Sequence, residues 1–524
     1  MNYAMILFIL GWVCAFEALF MVVPLGIALY EGNLRVAVSF LAAIVICLLM
    51  AGMTSLIPRK NKTLQTKDGM IAVALSWIVL SLIGALPFMW SGEIPHYIDA
   101  FFEIVSGFTT TGSSILSDVE ALSYASRFWR SFSHWIGGMG VLVFLLAFLP
   151  GKGGSFMQLM KAESPGPDVG KLVPRVRDSA KYLYKIYLAM SLIQVVLLLI
   201  TGMPLFDSLT ITMGTAGTGG FAVRNSGMND YSMLQQAIIA IFMVLFGINF
   251  NTYFFLVKGK VKEAFRSEEV ITYLVIIGLS TAAITVSCGF LFPNVFEAIH
   301  HAFFQVASII TTTGFATADF NEWTTFACAI LVLLMFVGAC AGSTGGGIKV
   351  SRIIILFKGI RKEFHTLLHP RSVYRSRMDG KIIPHEVIRS VTVFLSVYLL
   401  IFIFSVLLVS LDGYDLITSF TAVAATLNNI GPGLQLVGPM SNFSYFSDFS
   451  KLVLSLDMLA GRLELLPVLL LLIPSMWASR KRSSDSPSRL LHPESGVFAR
   501  RRKKSAAGSS FRNSVKGTAG GPSV

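Results

Sequence analysis

Charge is scarce in this chain of 524 residues. Asp, Glu, Lys and Arg make up 14% of it, against about 25% in soluble proteins. That scarcity excludes a water-soluble surface of ordinary extent. Apolar residues reach 54%, and mean hydropathy is +0.69. Cysteine is thin too: Cys14, Cys47, Cys288, Cys328 and Cys340, none in a CxxC pair. All five lie in or at the ends of apolar segments, which points to small buried thiols rather than a disulfide framework or a metal site. No protein nucleophile, metal centre or cofactor motif stands out, so no enzyme is expected. The glycine run ending in Lys349 fails as a phosphate loop, because Ile348 separates Gly347 from the lysine and no strand precedes it. The first apolar run, 1–30, lacks a basic leader and is followed by many more, which excludes a secretory signal.

What the chain has is long apolar runs. Ten are expected to cross a membrane: 4–29, 36–57, 69–91, 127–149, 181–202, 232–257, 269–292, 323–357, 386–411 and 450–477. Each can span about 30 Å of hydrocarbon at 1.5 Å per residue. Glu17 lies inside the first run and is expected to face protein or headgroups rather than lipid. The net charge of +13 raises the question of nucleic acid, but its distribution answers differently. Of the 42 Lys and Arg residues, 36 fall in 58–68, 152–185, 258–266, 349–389 and 480–524. The alternate gaps hold Arg35, Arg127, Arg130, Arg224 and Lys451, and Arg462 is placed within a span. Basic loops stay cytoplasmic. Both termini are therefore expected inside, with an even number of crossings.

Four shorter apolar stretches, 97–111, 205–219, 295–313 and 414–430, share one grammar. Each opens with an aromatic residue and an acid (Asp99, Asp207, Glu297, Asp415), as suits a helix N-terminus. Each closes on a polar loop ending in glycine: Gly112, Gly220, Gly314 or Gly431. The acid-to-glycine distance of 13 to 17 residues corresponds to roughly 20 to 25 Å of helix, so these read as re-entrant half-helices. The helix after each loop carries glycine near its middle: Gly137–Gly140, Gly247, Gly338 to Gly347, and Gly461. The unit of helix, half-helix, loop and helix thus occurs four times, and the first two helices stand outside it.

A polar loop at membrane depth survives only when buried in protein or lining a watery path. Four copies point to a ring, and a ring of backbone carbonyls can replace the water shell of a cation. Glycine permits backbone angles that aim carbonyls inward. The candidate ion-binding residues are Thr110, Thr111 and Gly112; Thr218, Gly219 and Gly220; Thr312, Thr313 and Gly314; and Asn429, Ile430 and Gly431. In the second loop Gly219 and Gly220 can each align with the others. For any one loop alone, a turn or a small-residue helix contact is the plain alternative.

Gly338, Gly342, Ser343, Thr344, Gly345, Gly346, Gly347 and Lys349 interrupt the run 323–357. Close packing through GxxxG is one reading. Three consecutive glycines exceed what packing needs, each costing about 1 kcal/mol of helix propensity. A broken helix below the loops is a natural mobile plug, so these residues are the candidate gate. Arg462 either pairs with Glu464 or another buried acid, or places a positive charge on the path as a barrier. His300 and His301 are adjacent, so they point apart on a helix and do not suggest a metal site. Asn249, Asn251, Asn428 and Asn429 are candidates for polar lining.

These motifs together resemble the Trk/Ktr/HKT superfamily of K⁺ transporters, most closely its bacterial TrkH-type members. TTTG at 109–112, AGTGGF at 216–221, TTTGF at 311–315 and NNIGPG at 428–433 are similar to that family's four filter loops. AGSTGGGIKVSR at 341–352, AGRLELLP at 460–467 and HPRSVY at 369–374 are similar to its gating loop, pore arginine and the loop before the last repeat. The resemblance covers roughly 1–478. It implies an all-α integral membrane fold with two extra N-terminal helices and four repeats around a pseudo-fourfold pore. It further implies K⁺ as the transported ion, a homodimer and a cytosolic nucleotide-binding regulatory subunit, and it places the pore arginine at Arg462. The expected divisions are 1–66 for the extra helices, 67–150, 151–258, 259–358 and 359–478 for the repeats, and 479–524 for a disordered basic tail able to meet anionic lipid. The expected function is K⁺ uptake across a bacterial inner membrane, with metal-binding limited to that ion and symport left open. The alternatives are an H⁺- or Na⁺-coupled transporter with a midplane site, or a non-conducting scaffold.

Overall fold

The computed structural model describes residues 1–58, 64–140, 176–264, 266–372 and 375–474, all within one compact unit, Met1–Ala478. The far end of the expected crossing 127–149, most of the lead-in from 151, and the basic tail from 479 lie outside the described residues.

Apolar side chains on every face drive these segments to bury in lipid or in one another, and polar caps close their ends. In α1 (Tyr3–Tyr30) the Asn2 side chain accepts from the Met5 amide at 3.2 Å. In α2 (Leu34–Ser55) Asn33 does the same for Val36 at 3.3 Å. Such caps satisfy amides that the helix leaves open. The two helices pack against each other, and both pack against the first repeat. Glu17 is 1% exposed and accepts from the Cys47 thiol at 3.7 Å, so it faces protein rather than lipid.

The four repeats follow. The first has α3 (Thr66–Gly84) continued by α4 (Leu86–Ser91), the half-helix α5 (Tyr97–Phe108) and α6 (Tyr124–Gly138). The second has α7 (Val176–Ile200), the half-helix α8 (Leu205–Gly217), α9 (Met233–Phe246) and α10 (Phe250–Val257), with one turn, α11 (Val261–Ala264), after it. The third has α12 (Glu268–Cys288), the half-helix α13 (Val295–Ile310), α14 (Thr325–Val337) and α15 (Val350–Leu368). A hairpin of β1 (Arg377–Met378) and β2 (Lys381–Ile382), with Arg377 opposite Ile382, precedes the fourth. The fourth has α16 (His385–Val409), the half-helix α17 (Leu416–Leu427), α18 (Asp448–Arg462) and α19 (Leu466–Leu471). The all-α class and repeat plan expected from sequence hold.

The count of spans needs refinement. Among the described residues, six helices are long and apolar enough to cross a membrane, and α9 with α10, bent by 92°, makes a seventh if the pair is one span. The difference from ten lies in the second helix of each repeat, which is interrupted every time. The break falls after Gly138 in the first repeat, at Gly247–Asn249 in the second, over 338–349 in the third and at Leu463–Leu465 in the fourth. Glu464 and Leu465 take φ of 61° and 64°, which ends α18 outright.

The half-helices carry their acids where a helix N-terminus favours negative charge. Asp99, Asp207 and Glu297 lie in the first turn, and Asp415 caps α17 by accepting from the Thr418 amide at 2.9 Å. Their last turns are buried. Two second helices press directly on them: a methyl at Gly137 would sit 1.9 Å from the Phe108 carbonyl oxygen, and one at Gly461 would sit 2.0 Å from that of Leu427. Phe108 and Leu427 each precede their loop glycine by four residues, so the two contacts are equivalent.

Arg462 is not the lone base set within a helix of the bundle. Arg130, counted from sequence with an outer gap, lies in α6 at 1% exposure; the apolar period of a span does not reveal a cation that brings its own acid. Its Nε donates to Glu103 Oε1 of α5 at 2.7 Å, and Phe221 lies under the guanidinium at 4.1 Å. Breaking a buried pair leaves an uncompensated charge and costs about 3–5 kcal/mol. Arg130→Ala is therefore expected to lower the melting temperature in detergent sharply, while Arg130→Met with Glu103→Gln recovers much of the loss. Thermal denaturation of the three proteins checks it.

Candidate ion pathway

Each half-helix ends in the same backbone figure. Thr110, Thr218, Thr312 and Asn429 have φ of 56°, 56°, 59° and 56°. Two residues on, Gly112, Gly220, Gly314 and Gly431 have φ of 84°, 76°, 87° and 104°. This register aligns Gly220, not Gly219, with the other loop glycines. Left-handed backbone at a threonine or asparagine costs of order 1–3 kcal/mol and persists only where the surroundings enforce it.

The enforcement is visible in the amides. Thr110, Thr218, Thr312 and Asn429 each donate to the carbonyl three residues back, at 3.1 Å in every case. Thr111, Gly219, Thr313 and Ile430 each donate to the carbonyl five residues back, at 2.8 to 2.9 Å. With the amides folded into the half-helix ends, the carbonyls are turned the other way. Among the described residues, the carbonyl oxygens of Thr110, Thr111, Thr218, Gly219, Thr312, Thr313, Asn429 and Ile430 accept no hydrogen bond, although all eight residues are buried.

The four loops close on one another in chain order. A methyl added at Gly112 would lie 2.1 Å from the Gly219 carbonyl oxygen, and one at Gly220 would lie 1.9 Å from that of Thr313. The corresponding distances are 2.0 Å from Gly314 to Ile430 and 2.9 Å from Gly431 back to Thr111. A cycle of this kind needs a central axis. Side chains brace it. His134 of α6 bonds the Gly107 carbonyl through Nδ1 at 2.7 Å and accepts from the Phe221 amide through Nε2 at 3.2 Å, which ties the first loop to the second. Asn429 Nδ2 donates to Thr111 Oγ1 and to the Met458 carbonyl, both at 2.9 Å, which ties the fourth to the first.

On one side of the ring lies a vestibule of about 170 Å³ with all four loop glycines in its lining. Its rim is held by Arg224 on Asp207 at 2.8 Å and by Asn225, which donates to Asp118 at 2.8 Å. That hydrogen bond holds the exposed Asp118 carboxyl below its usual range.

On the other side lies the segment 338–349. It bonds to the second, third and fourth repeats, and Arg462 links it to the first. The Gly346 amide donates to Thr312 Oγ1 at 2.6 Å and the Gly347 amide to the Asn428 carbonyl at 3.1 Å. Cys340 donates to Gly247 and Phe250 to Gly342, at 3.1 and 3.0 Å. Arg462 donates to the carbonyls of Thr344 at 2.9 Å, Gly138 at 2.8 Å and Gly137. Gly338, Gly342, Ser343, Thr344, Gly345, Gly346, Gly347 and Lys349 are therefore gathered directly beneath the ring. Arg462 meets backbone carbonyls here, while Glu464 pairs with Arg352. The sequence reading missed Lys349 as a buried charge; it is 2% exposed, and its ammonium reaches the Gly345 carbonyl. It also missed Glu269 and Arg352, whose roles depend on contacts between repeats that no local pattern announces.

The remaining candidates divide. Asn429 is in the ring, and Asn428 stands behind it, accepting from the Tyr398 hydroxyl at 3.0 Å. Asn249 caps α10 through the Asn251 amide at 2.9 Å. His300 and His301 diverge, to Gln236 at 2.7 Å and Thr317 at 2.9 Å.

Known proteins share this sequence and fold. The chain is 38% identical over 429 residues to the Trk system potassium uptake protein TrkH of Salmonella typhimurium, covering 80% of this chain and 88% of that one. It is 35% identical over 494 residues to the protein of that name from Vibrio parahaemolyticus, covering 91% and 100%. The crystal structure of the potassium transporter TrkH from Vibrio parahaemolyticus superposes with a TM-score of 0.82 at 32% identity, over 91% of this chain and 100% of that one. Residues 37–480 match the family model described as TrkH, cation transport protein. By repeat plan, ring geometry and sequence, the chain belongs to the TrkH family of cation transport proteins.

Proposed function

We propose that the protein takes up K⁺ across the bacterial inner membrane through the ring of four loops, with 338–349 as the gate. The observation that carries this reading is the set of eight buried carbonyl oxygens without hydrogen-bond partners, arranged in a closed cycle. An unpaired buried carbonyl is costly, and a dehydrated monovalent cation on the axis supplies what each oxygen lacks. Two side-chain oxygens at the same level, Thr110 Oγ1 and Asn429 Oδ1, are also buried without partners. The half-helices aim their negative ends at the same place. K⁺ enters from the vestibule, sheds water in the ring and moves inward down the membrane potential, which contributes about 2.3 kcal/mol per charge per 100 mV.

Below the ring the path meets 338–349. Arg462 binds this segment and the carbonyls of Gly137 and Gly138 at once, so its charge opposes a cation while its hydrogen bonds hold the plug in place. The relatives' names refer to a Trk system, and we read this chain as its membrane component, a homodimer working with a cytosolic nucleotide-binding subunit. All four repeats place the half-helix on the same side, which favours a channel-like path over an inverted-repeat transporter.

Gly314→Ser places a side chain where a methyl already lies 2.0 Å from the Ile430 carbonyl oxygen. It is expected to lower the K⁺/Na⁺ ratio in reconstituted liposomes roughly tenfold, equivalent to about 1.4 kcal/mol of discrimination. Gly112→Ser is expected to act in the same direction. An unchanged ratio in folded protein would falsify the filter assignment. Removing Gly345–Gly347 deletes the bonds to Thr312 and Asn428 and is expected to raise flux several-fold with the ratio kept. Rb⁺ uptake under an imposed potential checks it, and unchanged flux leaves 338–349 as mere packing.

A further inference from the structure

The gate segment has a neck, and one carboxylate oxygen fastens both sides of it. Glu269 lies in the first turn of α12, is 4% exposed, and belongs to the third repeat's first helix. Its Oε1 accepts from the Ala341 amide at 2.7 Å and from the Ser351 amide at 3.1 Å. Ala341 stands where the chain has just left α14, and Ser351 lies in the first turn of α15, where helix amides have no partner of their own. Between these two points runs the part of the segment that reaches Thr312, Asn428 and Arg462. The neck is also paired along its backbone, Lys349 to Val337 and Val350 to Ala339, each at 3.1 Å. Those bonds join the segment's two ends to the adjoining ends of α14 and α15. Glu269 is the anchor from a neighbouring helix.

The residue beside it is anchored too. Glu268 pairs with Lys358 of α15 and accepts from the Asp379 amide at 3.1 Å, while its own amide donates to Asp379 Oδ1 at 2.7 Å. Lys358 in turn donates to the Arg377 carbonyl at 2.6 Å. Two consecutive acids thus bind the start of α12 to the plug's neck on one side and to α15 and the hairpin of β1 and β2 on the other.

We propose that Glu269 is the positioning residue that holds the gate shut: its carboxylate keeps 341 and 351 together, so that 342–349 stays folded under the ring. This inference rests on the gate reading above. A hydrogen bond to a charged acceptor is worth more than a neutral one. Loss of two such bonds at one hinge shifts the balance between closed and open forms about tenfold or more.

The test is Rb⁺ uptake into proteoliposomes holding the full chain, with monodispersity checked for every variant. Glu269→Ala is expected to raise uptake about tenfold with the Rb⁺/Na⁺ ratio unchanged. Glu269→Gln keeps an oxygen of similar shape but no charge, and is expected to give a smaller rise of roughly threefold; it carries the test if the alanine variant does not fold. A merely structural role would lower uptake, not raise it. In a chain already lacking Gly345–Gly347, Glu269→Ala is expected to add nothing, because the plug it would release is gone. Unchanged or lowered uptake in folded Glu269→Gln, or a full additional rise in the shortened chain, overturns the proposal. If the shortened chain itself conducts no faster than the parent, the gate reading fails first and this inference falls with it.

Discussion

The structure depends on one constraint: a main-chain carbonyl taken out of water must find a partner. Most of the described residues meet the constraint within helices. The four loops meet it by half. Their amides fold back onto carbonyls three and five residues earlier, at nearly identical distances in each quarter, and their own carbonyls are left without hydrogen-bond partners among the described residues. Much else follows from keeping that figure. Glycine two residues past the left-handed position leaves room for the next loop's oxygen. Glycine in α6 and α18 lets those helices press on the half-helix ends. His134, the Glu103–Arg130 pair and the two-way bond of Asn429 fix one loop against another.

The opposite side of the ring solves a charge problem. Arg462, Lys349, Arg352, Glu269 and Glu464 crowd beneath it, yet few of them pair acid to base. Arg462 and Lys349 spend their donors on carbonyls of broken helices, and Glu269 accepts from backbone amides. Interrupting a helix frees main-chain dipoles, and here those dipoles solvate side-chain charge where water would otherwise be needed. The early ends of the second helices are the source of these groups, and in the third repeat the break extends over 338–349.

The repeat plan was legible because it is written locally. An acid, an apolar turn or three, then TTTG or NNIGPG can be read in a window of twenty residues. The loop positions followed from that alone, and the ambiguity between Gly219 and Gly220 ended only with the φ angles. The broken second helices were half legible: the glycines were seen, but α9 and α10 still looked like one apolar run, since hydropathy does not record a bend. Arg130 was misplaced because its acid lies 27 residues away in another helix. Glu269 looked like an ordinary first-turn acid, and its amide partners lie 72 and 82 residues away. Backbone acceptors carry no sequence signature, so a carboxylate that serves them is invisible until the chain is folded.

The cycle of loops is symmetric in its torsions and not in its side chains, since Asn429 stands where the other quarters carry threonine. A cage specified by main-chain angles leaves each quarter free to acquire its own hardware. Among the described residues, the third breaks its second helix over the longest stretch, 338–349, and the first joins its half-helix to the helix beyond through Glu103 and Arg130. Four identical subunits would have to carry every such device in quadruplicate and move them in concert. Fused into one polypeptide, the assembly lets natural drift specialise one quadrant without cost to the other three.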